Sequence, residues 1–284
     1  MVSKDATNDI GQVEQRMLEL VRQSTGDAAD AATYHLSAGG SRVRARLALH
    51  ASAALGRPAH ESIAVAAACE LLHNASLVHD DLQDRDTERR GCEAVWRRYD
   101  DAIAVCTGDL MLSAAYAALA DTGTAAASLM ARMHRRVATV IRGQCEDLSL
   151  QGGTLESQAA YERVACGKSA PLLVLPLELA LALAGRYGAI GTAERAGSLF
   201  AIGYQVADDL EDVVRDGLNE ELNIVSVLAA AGDSDPLETA RALAIQRFRE
   251  SHAVATSLPC GSGSLLAAQA LRRAALLSAP LATA

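Results

Sequence analysis

The feature that most constrains the fold is a long apolar segment that ends in a group of acidic residues. Residues 60–84 have the sequence of one long helix, which is apolar up to His79 and then carries Asp80, Asp81 and Asp84. Asp80 and Asp84 are four residues apart, so on a helix they project from one face, with Asp81 beside it. Carboxylates this close repel one another, so we expect this face to bind a cation. Oxygen ligands favour a hard ion, Mg2+ before Zn2+.

A second acidic cluster repeats this arrangement at the end of another apolar run, and it comprises Asp208, Asp209, Glu211 and Asp212. Two such clusters predict an apolar channel with carboxylates at its mouth. Two or three Mg2+ ions held there would bind a diphosphate, which brings oxygen ligands of its own. The residues therefore indicate metal-assisted ionisation of a diphosphate with a hydrocarbon tail. Two other interpretations stay open: solvated helix ends, or another metal site such as that of a phosphohydrolase.

Composition and periodicity favour an all-α fold. Hydrophobic residues make up 50% of the 284 residues, Ala and Leu dominate, and no useful stretch has the period of a strand. We predict a single domain, residues 1–284, in which about ten or more helices surround a deep central cavity. The predicted helices cover about 9–24, 42–54, 60–84, 98–120, 124–150, 155–167, 170–186 and 192–213, with a charged loop at 85–92, a polar loop at 215–223 and two or three later helices.

Charge and cysteine usage limit the class of protein. The net charge of −9 and the absence of a basic stripe with interleaved aromatics argue against a nucleic-acid partner. The polar N-terminus predicts no signal peptide, and the apolar stretch 170–185 is too short and too interrupted to span a membrane. Six scattered cysteines without a CxxC motif predict free thiols in a reducing, cytoplasmic environment: Cys69, Cys92, Cys106, Cys145, Cys166 and Cys260.

With these clusters in place, the sequence resembles the trans-isoprenyl diphosphate synthases (polyprenyl synthetase family), and geranylgeranyl diphosphate synthases in particular. The resemblance covers nearly the whole chain from Gly39 onward. The matching blocks, in family order, are residues 39–44, 73–91, Thr107-Gly108-Asp109, Gly143-Gln144, Lys168-Ser169, Tyr204-Gln205 and the second acidic cluster at 208–212.

The resemblance implies an isoprenoid synthase fold, a homodimer, and a Mg2+-dependent prenyltransferase that joins isopentenyl diphosphate to an allylic diphosphate. It implies Mg2+ ligands at Asp80, Asp81, Asp84, Asp208, Asp209 and Asp212. It implies catalytic roles for Asp80, Asp81, Lys168, Gln205 and Asp208. It implies substrate contacts at Ser41, Arg44, His73, Arg89, Arg90 and Lys168.

Two departures from the family pattern concern missing positive charge. Ser41 stands where the family usually has a lysine that contacts isopentenyl diphosphate, so binding of that substrate is expected to be weaker unless Arg42 replaces the charge. The lysine usual after the second cluster is also missing, since residues 213–222 contain Arg215 as their only cation. A terpene synthase of the same fold and an inactive or regulatory subunit are therefore alternative interpretations. Arg44, His73 and Arg90 favour the prenyltransferase.

Product length is expected to depend on the residues one helical turn before the first cluster. Ala75 and Ser76 are both small, whereas a bulky aromatic at these positions in the family stops elongation at C15. We therefore expect a product of C20 or longer. Met111, Leu112 and Tyr116 on the next helix could close the channel lower down.

Overall fold

The computed structural model describes residues 4–150, 157–219 and 223–279, apart from the side chains of 4–8, 147, 149, 150, 168 and 214–219. The all-α prediction is confirmed. Twelve α-helices are found in the described residues: α1 Lys4–Val21, α2 Asp27–Ser37, α3 Val43–Ala54, α4 Ala59–Asp84, α5 Val95–Arg98, α6 Asp101–Ala118, α7 Ala126–Leu150, α8 Gln158–Leu183, α9 Ile190–Asn219, α10 Ile224–Ala230, α11 Pro236–Thr256 and α12 Ser264–Ser278.

The chain divides into two compact units. Unit 1 comprises Met1–Arg132 and Leu179–Gly185, and unit 2 comprises Met133–Glu178 and Arg186–Ala284. The first acidic cluster lies in unit 1 and the second in unit 2. The single domain with a central cavity stays a prediction.

Helix α4 is the centre of unit 1. It packs against α1, α3 and α6, and its long run from Ala64 to Leu72 is buried throughout. A helix that is apolar on all sides requires neighbours on all sides, as the sequence indicated. The helix ends where Arg85 adopts a left-handed backbone conformation, with φ of 58°. Its acidic last turn is therefore held at the edge of a packed core.

A short β-ribbon follows α4 where a loop was predicted. Strand β1 (Glu88–Arg89) pairs antiparallel with β2 (Cys92–Glu93). The two turn residues, Arg90 and Gly91, both have positive φ, as the tightest two-residue hairpin turns require. The ribbon gives the adjacent arginines Arg89 and Arg90 different directions.

In unit 2, α9 packs along α11, and α11 packs along α12. Helix α9 also lies close to α8, since a Cβ added at Gly197 would be 2.6 Å from Val174 Cγ2. Buried Phe248 of α11 contacts Phe200 of α9, with ring centroids 5.4 Å apart. The second acidic cluster therefore sits on a helix that is packed on more than one side.

The sequence-based boundaries were wrong in four places. Helix α5 was not predicted, and the helix predicted from 98 begins at Asp101 as α6. Helix α2 was not predicted. Helix α8 is one helix rather than two, although its parts on either side of residue 168 are bent by 51°; Pro171 explains the bend because its ring clashes with the carbonyl four residues earlier. Helix α9 continues to Asn219, into the segment predicted as a polar loop.

One stretch in the described residues, Asp101–Glu146, is long and apolar enough on composition to cross a membrane, and a buried core helix passes the same test. Within it, α6 packs against α2 and α4. All six cysteines are free, as predicted. The cellular compartment stays a prediction.

Candidate functional site

The first acidic cluster occupies the last turn of α4, and its three carboxylates differ in burial. Asp80 is half-buried and Asp84 is exposed, whereas Asp81 is fully buried. Asp81 Oδ1 accepts hydrogen bonds from Arg89 Nε at 2.7 Å and from Arg89 Nη2. Burial raises the pKa of Asp81, and the Arg89 guanidinium opposes that rise. Asp81 is therefore paired with Arg89, while Asp80 and Asp84 lie on the outer face of α4.

Arg90, the next residue along the ribbon, is directed to a different set of partners. Its Nη1 donates to Asn74 Oδ1 at 3.3 Å and to the carbonyl of Gly39. A Cβ added at Gly40 would be 2.8 Å from Arg90 Cζ, so glycine is needed for this approach. Arg90 itself has a left-handed backbone, with φ of 56°, which is uncommon for a side chain of this size and often marks a functional position.

Asn74 bonds to Arg90, and His35 bonds to Asn74. Asn74 Nδ2 donates to the Glu70 carbonyl at 2.7 Å, so its Oδ1 is left to accept. His35 Nε2 lies 3.1 Å from that oxygen and must be the protonated nitrogen there. Burial and the nearby Arg90 charge lower the pKa of His35 to about 4. A neutral histidine and an amide thus fix the position of a guanidinium.

The other predicted contacts for isopentenyl diphosphate lie near Arg90 in unit 1. Burial lowers the pKa of His73 well below its usual value, with further contributions from the Arg44 and Arg90 charges. His73 Nδ1 is buried and has no hydrogen-bond partner among the described residues. His73 is therefore uncharged, and the positive charges of Arg44 and Arg90 help to keep it so.

Ser41 lies exposed in the loop before α3. The neighbouring Arg42 does not replace the missing charge, because its buried guanidinium is bonded to Glu14 Oε1 at 2.9 Å and to the Leu36 carbonyl at 2.9 Å. A different cation lies at Ser41, because the exposed Arg46 of α3 donates through its Nε to the Ser41 carbonyl at 3.2 Å.

The second cluster is organised around buried Asp209, which is 3% exposed. Its Oδ2 accepts from Tyr161 Oη and from the Ile224 backbone N–H, both at 2.7 Å. Its Oδ1 accepts from Gln205 Nε2 at 3.0 Å. Asn223 Nδ2 donates to the Asp209 carbonyl at 2.8 Å. Asp209 therefore joins α8, α9 and the start of α10.

Asp208 and Asp212 are half-buried beside it. Burial raises the pKa of Asp208 to about 7, the Arg273 guanidinium opposes that rise, and the neighbouring Glu211, Asp209 and Asp212 carboxylates add to it. A bound cation would favour the charged form of this carboxylate.

Two further predictions concern α8 and α4. The Lys168 side chain lies outside the described residues. Ala75 is buried, at 3% exposure, and Ser76 is half-buried with its hydroxyl donating to the His73 carbonyl at 2.8 Å. Both are small residues on the turn before Asp80, as the sequence predicted.

The carboxylates suit Mg2+ as partial ligand sets. Asp80 and Asp84 offer oxygens on one helical face, and Asp208 carries a charge that burial disfavours. In the described ranges, no three His, Cys, Asp or Glu side chains converge to form a complete metal site. Mg2+ is usually held by one or two carboxylates together with phosphate oxygens and water. The donor set therefore fits an ion that binds together with a diphosphate.

This geometry agrees with what the chain is similar to. Residues 27–223 match the family described as polyprenyl synthetase. The chain belongs to the polyprenyl synthetase family. Both acidic clusters and the Arg89–Arg90 ribbon lie within the matched residues.

Named relatives in the polyprenyl synthetase family differ in product. The farnesyl diphosphate synthase of Mycobacterium tuberculosis is 36% identical over 174 residues, which are 60% of this chain and 48% of that protein. The short chain isoprenyl diphosphate synthase of Methanothermobacter thermautotrophicus is 30% identical over 207 residues, 72% of this chain and 64% of that protein. The match spans about half the length of the first relative and less than two thirds of the second.

A solved structure extends the similarity in fold across the chain. The decaprenyl diphosphate synthase from Rhodobacter capsulatus is 21% identical and superposes with a TM-score of 0.87, covering 97% of this chain and 98% of that one. At this level of identity the likeness concerns the fold, and it agrees with the predicted isoprenoid synthase fold.

Sequence reasoning missed the polar residues that support the predicted ones. Asn74 gave a weak signal, because it is an amide inside an otherwise apolar run. His35 and Tyr161 gave none, since their partners lie 39 and 48 residues away along the chain. In the family resemblance these residues have no assigned role.

Proposed function

We propose that this protein is a Mg2+-dependent trans-prenyltransferase that condenses isopentenyl diphosphate with an allylic diphosphate, giving a product of C20 or longer. The observation that carries the proposal is the pairing of Asp81 with Arg89 in a cluster that leaves Asp80 and Asp84 on the outer face. Carboxylates for a metal and a guanidinium for a phosphate are thereby placed side by side. Residues on both sides of this pair belong to blocks typical of the family.

When bound, Mg2+ would neutralise the charge that builds on the diphosphate as its C–O bond breaks. In unit 1, Asp80 and Asp84 would hold Mg2+. In unit 2, Asp208 would hold Mg2+, with Asp212 as a more distant ligand. Asp81 and Asp209 were also predicted as Mg2+ ligands. Because they accept hydrogen bonds from Arg89 and Gln205, we propose that they position these two side chains instead. Lys168 is proposed to act near the allylic diphosphate.

The second diphosphate is proposed to bind to Arg90, Arg44 and His73. Arg90 is fixed by Asn74 and the Gly39 carbonyl, which lowers the cost of ordering it on binding. Neutral His73 can either donate or accept a hydrogen bond through its ring. Ser41 adds a hydroxyl but no charge, so affinity for this substrate is expected to be modest.

The test is incubation with Mg2+, isopentenyl diphosphate and each of the C5, C10, C15 and C20 allylic diphosphates in turn. A longer diphosphate supports the proposal. A cyclic hydrocarbon or alcohol from one allylic substrate alone supports a terpene synthase instead. No product from any combination supports an inactive or regulatory subunit.

Product length is proposed to depend on Ala75 and Ser76. Replacing Ala75 with Phe should shorten the product by closing the space next to α4. Because Ala75 is buried, the Ser76→Phe variant is the better-tolerated companion, since Ser76 is half-buried. Ala53→Phe, at an exposed residue of α3, serves as a control. An unchanged product in both test variants would place the determinant elsewhere.

The family resemblance also leads us to propose a homodimer. The exposed side of α6 supports it, because Val105 is 44% exposed and Cys106 is also exposed on this otherwise apolar helix. Sedimentation equilibrium of the wild type and a Val105→Glu variant tests the assignment. A monomer at all concentrations in the wild type would contradict it.

A further inference from the structure

Among the described side chains, Arg273 is a cation that acts on the second acidic cluster from another helix. Four of the five residues at 208–212 are acidic. Arg273, on α12, lies within electrostatic reach of Asp208. Its Cζ is 4.2 Å from the ring centroid of Tyr204. Tyr204 precedes Asp208 by four residues on α9, so both side chains lie on the same helical face. Arg273 therefore lies on the face that carries Asp208.

The ring beneath Arg273 is supported by a row of aromatic side chains. Tyr204 and Phe200 have centroids 6.4 Å apart and an interplanar angle of 29°. Phe200 contacts Phe248, which is fully buried. The chain has only two phenylalanines, Phe200 and Phe248, and 3% aromatic residues overall. An aromatic-poor chain thus places both phenylalanines behind the ring that supports this one arginine.

Stacking on an aromatic face leaves the edge of the guanidinium available. The N–H groups of arginine lie in its plane and can donate in pairs to phosphate oxygens while the face contacts a ring. A lysine in this place would lose both features. The arrangement thus holds the N–H donors of Arg273 in a fixed orientation beside Asp208, which is expected to bind a cation.

We propose that Arg273 is a further diphosphate-binding residue, held on Tyr204 at the second acidic cluster. The inference rests on the proposed function for its substrate class. Its role is to donate to the allylic diphosphate at Asp208, from α12 rather than from the residues that follow the cluster along the chain.

The test compares Arg273→Gln with Arg272→Gln. Arg272 is the adjacent residue on α12 and is exposed. Its substitution by Gln removes the same charge as Arg273→Gln. The first measurement is calorimetric titration of inorganic pyrophosphate in the presence of Mg2+, which requires no turnover. We expect Arg273→Gln to weaken binding about tenfold and Arg272→Gln to change it less than about twofold, since a charge-assisted hydrogen bond is specific to its geometry.

Two companion variants separate charge from orientation. Arg273→Lys keeps the charge but loses the fork, so its affinity should fall between those of the wild type and Arg273→Gln. Tyr204→Leu removes the aromatic support and should weaken binding about threefold without removing a charge. Melting temperatures of all variants establish that each is folded.

Steady-state kinetics then distinguish this inference from the proposed function. If prenyl transfer is observed, Arg273→Gln should raise the KM for the allylic diphosphate and leave that for isopentenyl diphosphate unchanged. Equal effects of the Arg272 and Arg273 variants, or no pyrophosphate binding by the wild type, would overturn the inference. Pyrophosphate binding that depends on Arg273 without prenyl transfer would support the inference and contradict the proposed function.

Discussion

The two acidic clusters have the same plan but use different partners for the buried member. In unit 1, buried Asp81 is paired with a single cation, Arg89, which comes from a surface ribbon. In unit 2, buried Asp209 is held by neutral donors from Tyr161, Gln205 and the Ile224 backbone. The half-buried Arg89 can pair with another anion, whereas the three hydrogen bonds to Asp209 hold α8, α9 and the start of α10 together.

This difference indicates a division of labour. The first cluster compensates its charge with a residue that is itself proposed to bind substrate. The second cluster fixes its helix and leaves Asp208 poorly compensated, since burial raises the pKa of this group to about 7 against the opposing Arg273 charge. The two clusters should therefore respond alike when an outer aspartate is lost and differently when the buried one is lost.

The largest effect is expected from the outer aspartates. Asp80→Ala and Asp208→Ala should each lower the rate of prenyl transfer by at least about 100-fold, because each removes a proposed ligand of the Mg2+ that would stabilise the charge developing on the diphosphate. Activity is measured at saturating Mg2+, and circular dichroism checks the fold. Asp30→Ala, at an exposed acid on α2, is the control. Near-normal turnover in either test variant would remove the proposed mechanism.

The buried aspartates should separate in stability. Asp209→Ala leaves Tyr161 Oη and the Ile224 N–H without their acceptor and should cost about 3 kcal/mol of unfolding free energy. Asp81→Ala should cost about 1 kcal/mol, because Arg89 reaches solvent and keeps its bond to Asp86. Urea denaturation without metal measures both.

Tyr161→Phe provides a milder change at the same site as Asp209→Ala. It removes one donor to Asp209 and should cost about 1 kcal/mol. Equal costs for the two alanine variants would show that Asp209 has no special structural role.

Acid should destabilise unit 1 through His35. Its pKa in the folded protein, about 4, lies below the value of 6.5 in the unfolded chain. The unfolded state therefore binds more protons between these values, and stability is lost as pH falls from 6.5 to 4. From pH 7.5 to 5.5 the loss from this group should be about 1 kcal/mol.

His35→Gln is the matched variant for this pH effect, because it keeps a donor for Asn74 and does not titrate. Between pH 7.5 and 5.5, this variant should lose about 1 kcal/mol less unfolding free energy than the wild type. His60→Gln, at an exposed histidine, should leave the pH dependence unchanged. The same pH slope in His35→Gln and the wild type would exclude the effect.

The smallest effect is expected at Ser41, which stands where the family usually has a lysine. Ser41→Lys should lower the KM for isopentenyl diphosphate by roughly threefold to tenfold, because a charged donor binds phosphate more strongly than a hydroxyl. Ser24→Lys, at another exposed serine in the same unit, controls for net charge. An unchanged KM would indicate that another cation already serves this position.

Much of this comparison could be predicted from sequence, because it depends on local spacing. The apolar run of α4 and the four-residue spacing of Asp80 and Asp84 identify a buried helix with an acidic end. The missed features depend on contacts between distant residues. The sequence shows Asp81 beside Asp80, but it does not show that Asp81 is buried and paired with Arg89, because that pairing depends on the ribbon bringing Arg89 back to the helix.

The helix errors have local causes. Helix α2 was missed because Tyr34 and His35 interrupt its apolar pattern with side chains whose partners lie elsewhere in unit 1. Helix α8 was predicted as two helices, 155–167 and 170–186, and the structure bends by 51° between these ranges but stays helical through Leu183. Packing in a buried segment carries the helix past Pro171 and Pro176. Tertiary contacts outweighed local preference in each case.

The close approach of Arg90 to Gly40 determines how the chain would respond to random mutagenesis. Any side chain at position 40 would meet the guanidinium at a distance of 2.8 Å and would also require a backbone conformation that only glycine adopts readily, with φ of 134°. In a library selected for activity, position 40 should therefore keep only glycine, while the exposed Ser41 next to it accepts many residues. The adjacent positions 40 and 41 would therefore differ widely in the number of substitutions that they tolerate.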